Sequence, residues 1–297
     1  MAPVDALTTG FELVETPAGH RVPVLEDWWL FAGPNGGWAL GAAAALSRAL
    51  DDRPLRSLQL RYLAMPTVGS AVMTHRDIRL GRSLRTVGVD FVQADKIFVT
   101  GTLACGTDRD GPTYDDENFP DVAPPDPHEA TQPSSDQGVG ADPDGGSETS
   151  APTAEPAFSK LWERQNRLGD PPGEAEQHGP DAIEERGGMG EVGGWIRPRS
   201  LIEVDAIRLA AMTDSWYPPF FRRVKGNPIT VGAPTTVDLT VHLFGDPPPD
   251  NAGDWWFLRS TTQVMRSGYC DMTTHVWHRS GRLAAVAHQL MTLVKVA

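Results

Sequence analysis

FAGPNGGWALGAAAALSRAL, residues 31–50, reads as a helix with no wet side. From Gly36 to Leu46 it carries no charge and no polar side chain. Asn35 is a suitable N-cap, and the alanines that follow are strong helix formers. A helix on the surface of a globular protein shows one apolar stripe and one polar face. This one must be enclosed on nearly every side, so the rest of the chain has to supply the wrapping.

The text downstream of the helix supplies it, twice. After NGGWALGAAAALSRAL (35–50) come RSLQLRYLAMPTVG (56–69) and HRDIRLGRSLRTVGVDFVQADKIFVTGTLACG (75–106). A second helix, SLIEVDAIRLAAMTDSW (200–216), is followed by TTVDLTVHLFGDPP (235–248) and the strand-like run 259–294. Each half is one helix and then four segments of period-two alternation separated by turn residues. The turns correspond as well, LGRSL to MRSGY and QADK to HRSGR. FELVETPAGHRVPVL, LWERQNRLG and EVGGWIRPRS are expected to add leading strands. One helix followed by a long antiparallel meander predicts an α+β unit whose sheet curls around its helix. The second unit covers what the first leaves open, and Ala and Gly permit the close approach.

At 297 residues and 40% hydrophobic, the chain can bury a substantial core. No run of about 18 apolar residues occurs, so no membrane span is expected. The N-terminal residues lack a basic region followed by an apolar one, which points to a cytoplasmic protein. Cys105 and Cys270 are too few for a disulfide framework and read as small core residues. The net charge of −13 argues against nucleic acid as a partner. Much of the acid excess lies between the repeats, in text such as DVAPPDPHEATQPSSDQGVGADPDGGSETSAPTAEP (121–156). Such a composition cannot bury enough apolar surface to offset its ordering entropy. The expected organisation is therefore an N-terminal unit over 1–110, a disordered linker over 111–157 and a C-terminal unit over 158–297.

The ordered set GPNGGWALGAAAA, PLRSLQLRYLAMPTVG and LGRSLRTVGVDF resembles the first half of the type II acyl-CoA thioesterases, which are double hot-dog proteins. MTDSWYPP, TTVDLTVHL and GRLAAVAHQLM resemble their second half. The resemblance implies hydrolysis of an acyl-CoA to a carboxylic acid and free CoA, a role in lipid metabolism, association into homo-oligomers, and no metal or organic cofactor. It also implies that a water is activated by Asp214, Thr236 and Gln289.

The residues themselves speak to these assignments. Ser200 and Glu203 have capping-box spacing, and Tyr217-Pro218-Pro219 stops the second helix, so Asp214 is expected near its C-terminus. A carboxylate is locally disfavoured there, and the dipole raises its basicity. Asp205, in the first turn, complements the dipole. Gln289 is the lone amide on an apolar face with Leu283, Ala285, Ala287, Met291 and Leu293. Thr236 alternates in phase with Asp238, Thr240 and His242, on the polar face, so it reaches a site only if Pro234 shifts the phase; Thr235 stays open as its alternative. Between Gly36 and Leu50 the first helix offers no carboxylate, which predicts an asymmetric molecule. Gly36 and Gly37 leave the helix N-terminus uncovered and are the candidate oxyanion donors, or else are glycines that close packing demands. Arg82, within the basic stretch 75–85, is the candidate for CoA phosphates, and Trp38 with Trp28, Trp29, Trp216 and Tyr217 for an acyl tunnel. No Gly-x-Ser-x-Gly elbow and no metal-like His spacing occurs. An acyl-CoA-binding protein without catalysis and an enoyl-thioester hydratase or dehydratase are the other readings open at this point.

Overall fold

The computed structural model of the chain describes residues 5–30, 33–129, 157–169, 184–185, 190–225, 233–245, 247–248 and 251–294. Helix α1 (Ala6–Thr9) and strands β1 (Val14–Thr16) and β2 (Gly19–Val24) lead into helix α2 (Gly36–Leu50). Strands β3 (Leu55–Tyr62), β4 (Gly69–Leu80), β5 (Leu84–Gln93) and β6 (Lys96–Gly106) complete the first half. The second half opens with β7 (Trp162–Leu168), β8 (Glu184–Glu185) and β9 (Gly190–Pro198), then helix α3 (Ala206–Met212). It continues through β10 (Val224–Lys225), β11 (Ala233–Leu243), β12 (Trp256–Thr262), β13 (Met265–Arg266), β14 (Tyr269–His278) and β15 (Leu283–Val294).

Among the described residues one 13-stranded sheet runs in the order β1-β2-β4-β5-β6-β3-β11-β15-β14-β12-β9-β7, with β13 paired to β14. The two halves repeat the same order outward from the centre, and β3 pairs antiparallel with β11 at the seam, Leu60 opposite Leu239. On the outer side of that seam Arg61 and Asp238 form an ion pair at 3.5 Å. This is the α+β arrangement that the repeat implied, and the double hot-dog that the resemblance implied. No helix of the described residues is long and apolar enough to cross a membrane.

Helix α2 is buried at every position from Gly36 through Ser47. Asn35 caps it, its side chain accepting the Gly37 N–H at 2.8 Å. The small residues let α3 come very close: a Cβ on Gly37 would lie 2.4 Å from the Ala211 carbonyl oxygen. Gly37→Ala is therefore expected to push the helices apart, costing about 1–3 kcal/mol and lowering the thermal midpoint by several degrees. An unchanged midpoint would refute this contact.

Two sequence expectations need correction. The second helix does not use Ser200 and Glu203; it starts at Ala206, with Asp205 as N-cap accepting the Arg208 N–H at 3.0 Å. Leu201 sits at φ 54°, so the chain is still turning off β9 where the capping box was expected. The second concerns residues 111–157, of which 130–156 lie outside the described residues. Residues 119–129 pack on the second half rather than behaving as linker. Phe119 contacts the rings of Trp195, Phe257 and Trp277, and the Trp195 indole donates to the Ala123 carbonyl at 2.8 Å. Gln165 bonds both the N–H and the carbonyl of Asp126, and Arg167 pairs with Glu129 at 2.9 Å. One half-buried aromatic and a few paired polar groups dock a segment whose average composition reads as unstructured.

Candidate active site

Asp214 lies just past the end of α3. Its last carbonyls are already satisfied, because Thr213 Oγ1 donates to the Ala210 carbonyl and Ser215 Oγ to that of Met212. The carboxyl group faces the amino end of α2. A Cβ on Gly36 would stand 2.8 Å from Asp214 Oδ2 and 3.2 Å from the Tyr62 hydroxyl, so only glycine fits between them. Asn35 ties the halves together, its Nδ2 donating to the Asp214 backbone carbonyl at 2.7 Å. The Tyr62 hydroxyl donates to the Gly36 carbonyl at 2.7 Å.

The other two groups come from neighbouring strands. Gln289 stands opposite Leu239 on the inner face of the sheet, and its Nε2 donates to Thr236 Oγ1 at 2.6 Å. The alternation had put Thr236 on the wrong face. A β-bulge between Thr236 and Asp238 resolves this, since the extra residue brings Thr236 into phase with Leu239 and Val241. Thr235 pairs with Thr292 on the other side. Asp214 and Gln289 are 8% and 6% exposed, and Gln289 Oε1 is a buried acceptor without a partner. The first half has no such amide: opposite Leu58 and Leu60 its β6 carries Leu103 and Gly101.

Burial pushes Asp214 up to about 7, against the pull of the Gln289 carboxamide and the N–H groups of Gly37 and Gly36. The Gly37 N–H is directed at Asn35 Oδ1, so its dipole, more than a full hydrogen bond, reaches the carboxylate. The cause of the raised basicity is thus desolvation, and the helix that matters is α2, whose N-terminus lowers it. Tyr62 is driven well above its ordinary value, first by burial and then by the Asp214 charge.

The structure therefore brings together Asp214, Gln289, Thr236, Gly36 and Gly37. The N–H groups of Gly36 and Gly37 are not open for a substrate oxyanion in this state, being turned to Asp214 and Asn35. Trp38 belongs to the first-half core, stacked on Phe98 and edge-on to Phe91. Arg82 is exposed on the β4–β5 turn, whose Gly81 carbonyl is held by Arg53 just past the C-terminus of α2. The 15 residues of α2 span about 22 Å, so Arg82 is remote from Asp214. Asn35 as a bridge and Tyr62 as a neighbour of the acid were missed. The available sign of Tyr62 was a polar tip on the same strand face as Leu58 and Leu60.

Comparisons with known proteins agree with this fold. A family profile described as the acyl-CoA thioesterase C-terminal domain matches residues 124–293, and one for the N-terminal domain matches 25–106. Among solved structures, a hot-dog-fold protein of Alicyclobacillus acidocaldarius aligns with TM-score 0.75 at 20% identity, covering 99% of this chain and 100% of that one. A tesB protein of Mycobacterium avium subs paratuberculosis aligns with TM-score 0.67 at 17% identity over 97% and 98%. An acyl-CoA thioesterase II, TesB2, of Mycobacterium marinum gives 0.64 at 15% over 98% of each chain. None of the curated proteins compared with the chain matches it.

Proposed function

Because the chain belongs to the acyl-CoA thioesterase family, we propose that it hydrolyses an acyl-CoA to a carboxylic acid and free CoA at the Asp214 site. In this reading a water donates one proton toward Asp214 and the other to Gln289 Oε1, the buried acceptor that otherwise lacks a partner. Gln289 Nε2, bonded to Thr236, keeps the amide in that orientation. The water oxygen adds to the thioester carbon as Asp214 takes its proton. Neutralising Asp214 loosens its hold on the amino end of α2, whose dipole then faces the charge growing on the carbonyl oxygen. When the C–S bond breaks, the proton on Asp214 passes to the departing CoA sulfur, and the carboxylate is restored.

The observation that carries the reading is one buried carboxyl, poised at about 7, beside an amide with an unfilled acceptor. A protein that only binds acyl-CoA has no use for that pairing. A Thr236 on the polar face would favour such a protein, and the bulge in β11 takes it off that face.

Thiol release from an acyl-CoA panel tests the proposal. A base must be ionised to work, so kcat/KM is expected to rise with pH, reach half its maximum near pH 7 and level off above it. Chain binding with no thiol release, or a rate flat between pH 6 and 8, would overturn it.

A further inference from the structure

Asp214, Gln289 and Thr236 mark where the thioester carbonyl reacts and leave the acyl chain unplaced. Two of the aromatic residues expected to line its path are packed into the first-half core. Trp28 packs on Phe11 and Phe158, and Trp38 on Phe91 and Phe98.

A different apolar group adjoins Gln289. Phe220, Cys270, Met272 and Met291 form a buried cluster separate from the main core, with Met265 and Leu293 partly buried at its margin. Directly paired residues of an antiparallel ladder share a face. Met272 is opposite Gln289, while Met291 is opposite both Thr236 and Cys270. The inner face thus passes from the polar pair straight into sulfur and phenyl groups. Along β15 the same face continues from Gln289 through Met291 to Leu293, about 13 Å at the usual strand rise. Phe220, on the turn Pro219–Arg222, closes the cluster from the other side.

The composition sets this cluster apart. On β11 and β12 the adjoining core is built from Leu239, Val241, Trp256 and Leu258, residues with few rotamers or rigid rings. Methionine is unbranched and flexible, so two of them can rearrange to admit a guest and refill the space afterwards. Cys270 Sγ is anchored by the Thr262 hydroxyl at 3.1 Å, which keeps the floor in place while the methionines move.

Resting on the thioesterase reading, we propose that this methionine cluster is the acyl-chain subsite and takes an apolar, unbranched chain of medium length. A carboxylated or hydroxylated chain would lose its hydration there without replacement. The thioester end lies by Gln289 and Thr236, and the methyl end runs toward Leu293.

The test is the ratio of kcat/KM for decanoyl-CoA to that for acetyl-CoA, measured with Met291→Phe, Met272→Phe and Met291→Ala. Blocking the path with phenylalanine should lower the ratio about tenfold or more, the value of a methylene or two in an apolar pocket. Met291→Ala should shift the optimum to longer chains. A ratio unchanged in all three variants overturns the subsite. The thioether analogue of decanoyl-CoA separates the two claims by calorimetry. Wild-type binding that Met291→Phe weakens, without thiol release from any ester, sinks the hydrolase reading and keeps the subsite. Binding unaffected by every variant sinks the subsite alone.

Discussion

Asp214→Asn is expected to slow thiol release by a factor of about a hundred to ten thousand, the usual contribution of a general base. The same substitution should raise the melting temperature at pH 8. Asp214 has its folded pKa lifted from 3.8 to about 7 by burial. Between those values the native protein holds a proton that the unfolded chain has released, so stability falls as pH rises through that window. Above pH 7 the full cost of keeping a carboxylate dry is present, on the order of 4 kcal/mol. Asparagine has nearly the same shape and no charge to desolvate. Its advantage should therefore be largest at pH 8 and shrink by pH 5. Thiol release with acyl-CoA and thermal melts at the two pH values measure both halves of the statement. An active variant would remove Asp214 from the chemistry. A variant that melts lower at pH 8 than at pH 5, relative to wild type, would contradict its burial as the source of its basicity.

Gln289 carries the second large effect. Gln289→Ala removes both the amide that orients Thr236 and the acceptor assigned to the water, and should cost about a hundredfold in kcat/KM. Stability should change little, because the lost hydrogen bond is partly offset by removing an unpartnered buried oxygen. Gln289→Glu is the sharper experiment. It keeps the shape but places a second carboxyl against Asp214, and two like charges in one dry site resist joint ionisation. The acid limb of the pH profile should then move above 7, with activity at pH 7 falling further than activity at pH 9. Combining Gln289→Ala with Thr236→Ala should cost little more than Gln289→Ala alone, since the two side chains act as one hydrogen-bonded unit. Additive losses would show that Thr236 works independently of the amide.

Local pattern carried a great deal here. A helix with no polar side chain from Gly36 to Leu46 announced an enclosing sheet, and the recurrence of helix and meander announced two copies of it. The missing acid in 36–50 announced that the copies differ, and a lone amide in an apolar alternation picked out Gln289. These are properties of neighbours within a turn or a strand, which composition and period record directly. What escaped the pattern depends on partners far away in the chain. Thr236 faces the site because β11 bulges where it pairs with β15, and one inserted residue reverses every side chain beyond it. Asp214 owes its basicity to burial and to the amino end of α2, and Asn35 meets it across 179 positions. Periodicity reports which face of a segment is apolar; only the assembled halves decide what that face touches and how little water is left there.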